Sequence, residues 1–222
     1  MTLGHPRLHL QTTESTNDRA RELAGSGAPH GALVTAGVQT AGRGRQGRTW
    51  VAPAGSSLLL SLVLRQYDPL VSLRAGLAVA DLASAGARVK WPNDVLVDGR
   101  KVAGVLVEAR PQEGWAVLGI GVNAALDVAD LPPELHETAG SLGLTDLDAA
   151  LADLLEHLTR RLEEPADATL RALAERDALL DREITWQGGE GTGAGIDERG
   201  RLRVRLAGGG ETALDAGEVH LR

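Results

Sequence analysis

Residues 42–50, Gly-Arg-Gly-Arg-Gln-Gly-Arg-Thr-Trp, interleave Arg43, Arg45 and Arg48 with Gly42, Gly44 and Gly47. Guanidinium is permanently charged, and its planar donor fork matches phosphate and carboxylate oxygens. The glycines let the backbone bend and approach a ligand closely. The segment therefore reads as a mobile loop that closes over an anion. Taken alone, an arginine-glycine stretch would read equally well as an RNA-coating or merely solvated tract. Its setting argues against that, because it is short, ends at Trp50, and lies between apolar runs at 31–38 and 57–64 that read as buried strands. Loops carried on a rigid sheet are where function concentrates.

A second constellation is Lys90-Trp91-Pro92-Asn93-Asp94. Pro-Asn-Asp by itself is an ordinary turn, but Lys90 adds positive charge and Asp94 an oxygen suited to a phosphate-bound Mg²⁺. Lys101 opens an apolar run over 101–108 that contains Gly104, and a glycine inside a strand often marks close approach of a ligand or of backbone. Gly119, Gly121 and Asn123 repeat that theme at 119–123. Ser15, Thr16 and Asn17 read as a helix cap, and the free N–H donors of a helix start also suit a polar ligand. Gln39, just before the arginine loop, gains interest only from this assembly. Of the four tryptophans, Trp50 and Trp91 stand beside charged loop sequence and are the site candidates, whereas Trp115 and Trp186 read as packing residues.

The elements that must position these groups follow from periodicity and punctuation. A strand is expected at 8–12, a short helix at 18–24, and an amphipathic helix at 68–85 with Leu70, Leu73, Leu77 and Ala80 inward. A β-rich stretch follows, with strands at 88–90, 95–97, 101–109 and 115–122 and turns at Asp98-Gly99 and at 112–114, which implies an at least partly antiparallel sheet. Helices are expected at 147–162 and 166–180, divided by Pro165. Beyond residue 182 the glycine punctuation is that of about five short strands in a small barrel, so the domain boundary is placed near residue 180, giving 1–180 and 181–222.

Composition narrows the chemistry. The chain has 222 residues, with 23 Lys+Arg against 30 Asp+Glu for a net charge of −7, which argues against nucleic acid as a partner. There is no cysteine, so disulfides, thiolate catalysis and cysteine metal sites are excluded. With no signal-peptide pattern at 1–11 and no apolar run able to span a bilayer, no membrane is implied and a cytoplasmic protein is expected. Phe is absent and Tyr67 is the only tyrosine, so the core must be aliphatic. The histidines (His5, His9, His30, His136, His157, His220) lack metal-ligand spacing and read as surface or structural residues. No P-loop, dinucleotide-binding glycine motif or Gly-x-Ser-x-Gly elbow is present.

Together, Glu14-Ser15-Thr16-Asn17, Gln39, the 42–50 loop, Lys90-Trp91-Pro92-Asn93-Asp94, Lys101-Val102-Ala103-Gly104 with Glu108, and Gly119-Ile120-Gly121-Val122-Asn123 resemble bacterial biotin protein ligases in order and spacing. The match covers about residues 8–125. Further on, Gly195-Ile196-Asp197-Glu198-Arg199-Gly200 and Gly217-Glu218-Val219 look like that family's small C-terminal SH3-like domain. The resemblance implies an α+β fold, with a mixed, largely antiparallel sheet flanked by helices in a class II synthetase-like catalytic domain, and an SH3-like β-barrel after it.

It also implies an ATP-dependent ligase that forms biotinyl-5′-AMP and passes biotin to a lysine of a biotin carboxyl carrier domain, in acetyl-CoA carboxylase or another biotin-dependent carboxylase. By this resemblance Ser15, Thr16, Asn17, Gln39, Arg43, Gly44 and Gly104 hold biotin, and Arg45 and Lys101 bridge its carboxylate and the α-phosphate. Arg48, Trp50, Lys90, Asn93, Asp94 and Asn123 serve ATP, with Arg45, Lys101 and Arg48 catalytic and Asp94 near Mg²⁺. Gln46 departs from the basic residue many relatives carry there. The motifs begin at Glu14, so the winged-helix domain of the bifunctional repressors is not expected. Lipoate protein ligase is the alternative within the same chemistry, and a non-catalytic biotin or nucleotide sensor the alternative outside it. Many relatives form dimers through the catalytic sheet, and no exposed strand in this sequence decides for or against a homodimer.

Overall fold

The computed structural model describes residues 3–83 and 86–222. A seven-stranded sheet with strand order β1-β2-β3-β7-β6-β5-β4 forms its centre. The strands are β1 (Arg7–Thr13), β2 (Leu33–Gln39), β3 (Ser57–Leu64), β4 (Arg88–Lys90), β5 (Asp94–Val97), β6 (Arg100–Arg110) and β7 (Trp115–Asn123). Only β1 and β2 run parallel, joined across helix α1 (Thr16–Gly25), while the other neighbours in this sheet are antiparallel. The antiparallel pairing expected from the hairpin turns, and the mixed, largely antiparallel α+β sheet implied by the resemblance, are thus present. At the β5–β6 turn both Asp98 and Gly99 take positive φ, 50° and 76°, the geometry of a primed two-residue hairpin.

The two faces of this sheet are not equivalent. One face packs its aliphatic side chains, including Leu60, Leu62, Leu118 and Ile120, against helix α2 (Val71–Leu82), over which lies α3 (Leu147–Glu163). Leu70, Leu73, Leu77 and Ala80 are all buried as expected. The expected helix at 68–85 is shorter, and its last two positions, 84 and 85, lie outside the described residues. On the other face α1 covers one end, packing Ala20 and Ala24 against Val63, Trp115 and Val117.

Helix α4 (Ala166–Arg176) stops short of the expected residue 180. Its Ala- and Leu-rich sequence would continue a helix, but the Asp177 carboxylate accepts from the Leu179 amide, and Ala178 N–H donates to Val89 O. Tertiary pairing overrides local propensity there. Five short antiparallel strands follow, β8 (Glu183–Trp186), β9 (Gly189–Ile196), β10 (Leu202–Arg205), β11 (Glu211–Leu214) and β12 (Val219–Leu221), in the order β11-β10-β9-β8-β12. Their inward residues Ile184, Leu202, Val204 and Val219 belong to the same apolar core as the large sheet.

Three arginines from α3 and α4 converge on Asp81 of α2. Arg161 binds it through two nitrogens at 2.7 and 3.0 Å, and Arg160 and Arg176 each through one at 2.8 Å. Burial alone would raise the Asp81 pKa, but the hydrogen bonds and charges of these arginines, Arg161 foremost, hold it below its ordinary value. Asp81→Asn should therefore destabilise the fold by about 2–4 kcal/mol, by stranding half-buried cations, as read by urea unfolding. Because the folded-state pKa is depressed, this contribution is present at neutral pH. The gap between wild type and variant should be constant from about pH 5 to 8 and shrink below about pH 4.

Candidate active site

The open face of the sheet becomes a site because its side chains vanish where α1 ends. Along β7, Trp115 and Val117 fill the space under α1, and then Gly119 and Gly121 leave the same face bare. Gly104 of β6 sits directly opposite Gly121, so two paired glycines expose backbone side by side. The bareness is used. A Cβ on Gly121 would lie 2.5 Å from Trp50 Cε2, one on Gly104 3.0 Å from Trp50 Cζ3, and one on Gly119 2.1 Å from Asn17 Oδ1. The Trp50 indole therefore lies against this glycine pair, with Lys101 Nζ 5.7 Å from its ring centre, within cation–π range.

Polar groups from α1 line one side of the cleft. Ser15 is the N-cap but makes no side-chain cap bond; Gln39 Oε1 instead accepts from Thr16 N at 2.7 Å and lies 3.0 Å from Thr16 Oγ1. Ser61 Oγ reaches Thr16 Oγ1 at 2.8 Å and Asn17 Oδ1 at 2.6 Å, and Asn17 Nδ2 donates to Glu108 at 2.7 Å. Glu108 accepts only, so it fixes the Asn17 amide with its oxygen toward Ser61. The Gln39 oxygen is turned to Thr16, which leaves its amide nitrogen beside Gly42, about 3.1 Å from where a Cβ there would stand.

Cations line the opposite side. Arg45, Arg48, Lys90 and Lys101 share the cleft with Asp94 and Glu218. Lys101 Nζ is 2.6 Å from Asp94 Oδ1 and Arg48 pairs with Glu218, whereas Arg45 and Lys90 have no carboxylate ion pair among the described residues. Burial lowers the Lys90 pKa, with Asp94 opposing and Lys101 and Arg48 adding to the fall. Burial likewise lowers that of Arg45, opposed by Asp94 and reinforced by Arg48. Arginine stays charged through any such shift. The cleft is an electropositive pocket built for an anion with several negative oxygens.

The arginine loop is a hydrogen-bonded hairpin. Trp50 N donates to Gly42 O at 2.9 Å and Gly44 N to Arg48 O at 2.7 Å. Gln46 and Gly47 take left-handed φ, 55° and 76°, at its tip, and only the glycine does so without strain. The structure brings Ser15, Thr16, Asn17, Gln39, Arg43, Gly44, Arg45, Arg48, Trp50, Lys90, Asn93, Asp94, Lys101 and Gly104 to one cleft. It does not bring the Asn123 side chain there: Asn123 is buried and donates to Gly140 O at 2.9 Å and toward Lys101 O, holding backbone behind the site. Trp91 is also reassigned. It borders the cleft but is 3% exposed, and its indole N–H donates to Gly200 O at 2.9 Å, tying the second sheet to the first. Sequence reasoning gave no site role to Gly217, Glu218 and His220, which enter the cleft from the second sheet. Their only signal was an acid and a histidine beside a glycine near the C-terminus.

Comparison with known proteins places this fold and cleft in a family. Residues 10–124 match the model of the biotin/lipoate A/B protein ligase family. The biotin–[acetyl-CoA-carboxylase] ligase of Mycobacterium tuberculosis is 37% identical over 241 residues, covering 95% of this chain and 87% of that protein. The bifunctional ligase/repressor of Bacillus spizizenii is 38% identical over 152 residues, and the alignment spans 63% of this chain and about half (47%) of that relative. Among solved structures, the Aquifex aeolicus biotin protein ligase in complex with biotin and ATP superposes with a TM-score of 0.82 at 26% identity, over 98% of this chain and 99% of that one. The chain belongs to the biotin/lipoate A/B protein ligase family.

The glycine pair yields a direct test. Gly121→Ala forces the Trp50 indole off its seat at a cost of about 1–3 kcal/mol of overpacking. Its tryptophan fluorescence should differ from wild type, and the difference should disappear in a Trp50→Phe background.

Proposed function

We propose that this protein is an ATP-dependent biotin protein ligase that activates biotin as biotinyl-5′-AMP and transfers it to a lysine of a biotin carboxyl carrier domain. The observation that carries this reading is the one cleft in which a neutral hydrogen-bonding end (Thr16, Asn17, Gln39) continues into a cationic end (Arg45, Arg48, Lys90, Lys101) beside the glycine strip on which Trp50 lies. A ligand with a polar neutral head and a carboxylate tail, held beside a polyphosphate, fits that gradient. The names of the Mycobacterium tuberculosis and Paracoccus denitrificans relatives support the same substrate and an acetyl-CoA carboxylase carrier.

In this reading Ser15, Thr16, Asn17, Gln39, Arg43 and Gly44 hold the biotin head, with Gly104 as floor. Arg45 and Lys101 lie between carboxylate and α-phosphate, and Arg48, Trp50, Lys90, Asn93 and Asp94 face the nucleotide. A biotin carboxylate oxygen bonds to the α-phosphorus as the bond to the pyrophosphate oxygen breaks, and pyrophosphate leaves. The carboxylate is already ionised at neutral pH, so this step needs no general base. What it needs is relief of anion–anion repulsion and in-line orientation, which the cations supply. In the second step the neutral amine of the carrier lysine attacks the acyl carbonyl and AMP departs.

Among the described residues no cluster of three metal-ligating side chains exists. Mg²⁺ held mainly by phosphate oxygens and one carboxylate still fits Asp94, and when bound it would neutralise phosphate charge. No helix among the described residues is long and apolar enough to cross a membrane, and a cytoplasmic setting would supply ATP and carrier. We also retain a division near residue 180 between a ligand-binding part and a smaller C-terminal part.

The test is incubation with ATP, Mg²⁺ and either biotin or lipoate, followed by detection of acyl-adenylate and labelled carrier domain. Biotinyl-adenylate and biotinylated carrier are expected; transfer of lipoate alone, or no adenylate with either acid, would overturn the reading. Lys101→Ala and Arg45→Ala should each slow adenylation by about one to two orders of magnitude, since a charge-assisted hydrogen bond contributes about 1.5–3 kcal/mol. The thermal midpoint should stay near wild type.

A further inference from the structure

The arginine loop is fastened to the rest of the molecule at one place outside the cleft. Arg43 Nη2 contacts Asp18 Oδ1 in the first turn of α1, and Arg21 Nη2 contacts that same oxygen. Arg21 also donates through Nη1 to Glu108 Oε1 at 2.9 Å, and Glu108 Oε2 accepts from Asn17 at 2.7 Å. The side chains of Asp18, Arg21 and Glu108 are only 26–29% exposed. Two acids and two bases make a neutral quartet, one member of which rides on the loop and another of which orients an amide in the head pocket.

An aspartate in a first helical turn is usually explained by the helix dipole. That explanation leaves the Arg43 contact unaccounted for. With the loop raised, Asp18 and Glu108 would face Arg21 alone, a half-buried site carrying one uncompensated negative charge. Closing the loop restores neutrality and adds a charge-assisted bond. We propose that Asp18 is a positioning residue for the ligand-binding loop: it latches Arg43 down onto α1, and through Arg21 and Glu108 it couples loop closure to the orientation of Asn17. Neither Asp18 nor Arg21 belongs to the motifs from which the biotin reading was built. The inference rests on that reading only for its second readout.

The first readout needs no ligand. Trypsin cuts after Arg45 and Arg48 only when the loop opens, and cleavage of a transiently open segment follows the open population. Asp18→Asn should speed cleavage at these two sites about three- to tenfold, the scale of losing one charge-assisted contact at a partly exposed site, while cleavage after the exposed Arg199 and the thermal midpoint stay put. Arg43→Gln breaks the contact from the loop side and should give the same acceleration, which covers the case of an unfolded Asp18 variant. Unchanged loop cleavage in a folded variant overturns the latch.

The second readout is biotin affinity by calorimetry. Asp18→Asn should weaken it about tenfold in the wild-type background and not at all in an Arg43→Gln background. Independent, additive losses would show that Asp18 does not act through Arg43 and overturn the proposal. A wild-type protein that binds no biotin would sink the functional reading instead, and the proteolysis would still decide the latch.

Discussion

A strand buried on both faces needs bulk on both faces, and β7 breaks that requirement at one point. Its residues Ala116, Leu118, Ile120 and Val122 fill the core beneath, while the alternate positions run Trp115, Val117, Gly119 and Gly121 above. Where bulk ends, α1 also ends, and its N-terminus delivers Thr16 and Asn17 to the edge of the bare strip. Gly119 admits Asn17, and Gly121 with Gly104 admits Trp50. Other groups of the cleft are placed relative to this strip: Lys101 is the second residue of the strand that carries Gly104, Asp94 sits across from Gly104 in register, and Asn93 closes on Val105.

The second sheet completes the site from far along the chain. Trp91 donates to Gly200, and Glu218 holds Arg48. These contacts tie two elements of the cleft to the C-terminal strands, whose core is continuous with that of the large sheet. A small sheet of five short strands gains support from that continuity, because so few strands bury little apolar area alone.

Much of this was legible in the sequence, and the reason is local. Apolar runs interrupted by glycine identified β6 and β7, turn residues identified the hairpins, and the arginine loop announced its own charge. What was not legible depends on partners distant in sequence. The run after residue 176 has helical propensity, yet pairing with Val89 ends α4. Trp91 looked like a ligand platform until Gly200 took its N–H. Asn123 carries a ligand-like amide that faces Gly140 instead. Asp18, Arg21 and Glu108 are unremarkable singly, because the 87 positions separating Arg21 from Glu108 conceal their contact.

The central claim is that the cleft built on this glycine strip is the ligand site and that its cations meet the acid group. A crystal structure with biotin and a non-hydrolysable ATP analogue tests it most directly. The account predicts biotin in this cleft, its ring system beside Thr16 and Asn17 and its carboxylate within hydrogen-bonding reach of Arg45 or Lys101. Biotin bound elsewhere, for example in the separate groove beside Arg7, His9 and Thr35, or seated in the cleft with its carboxylate turned away from both cations, would contradict it.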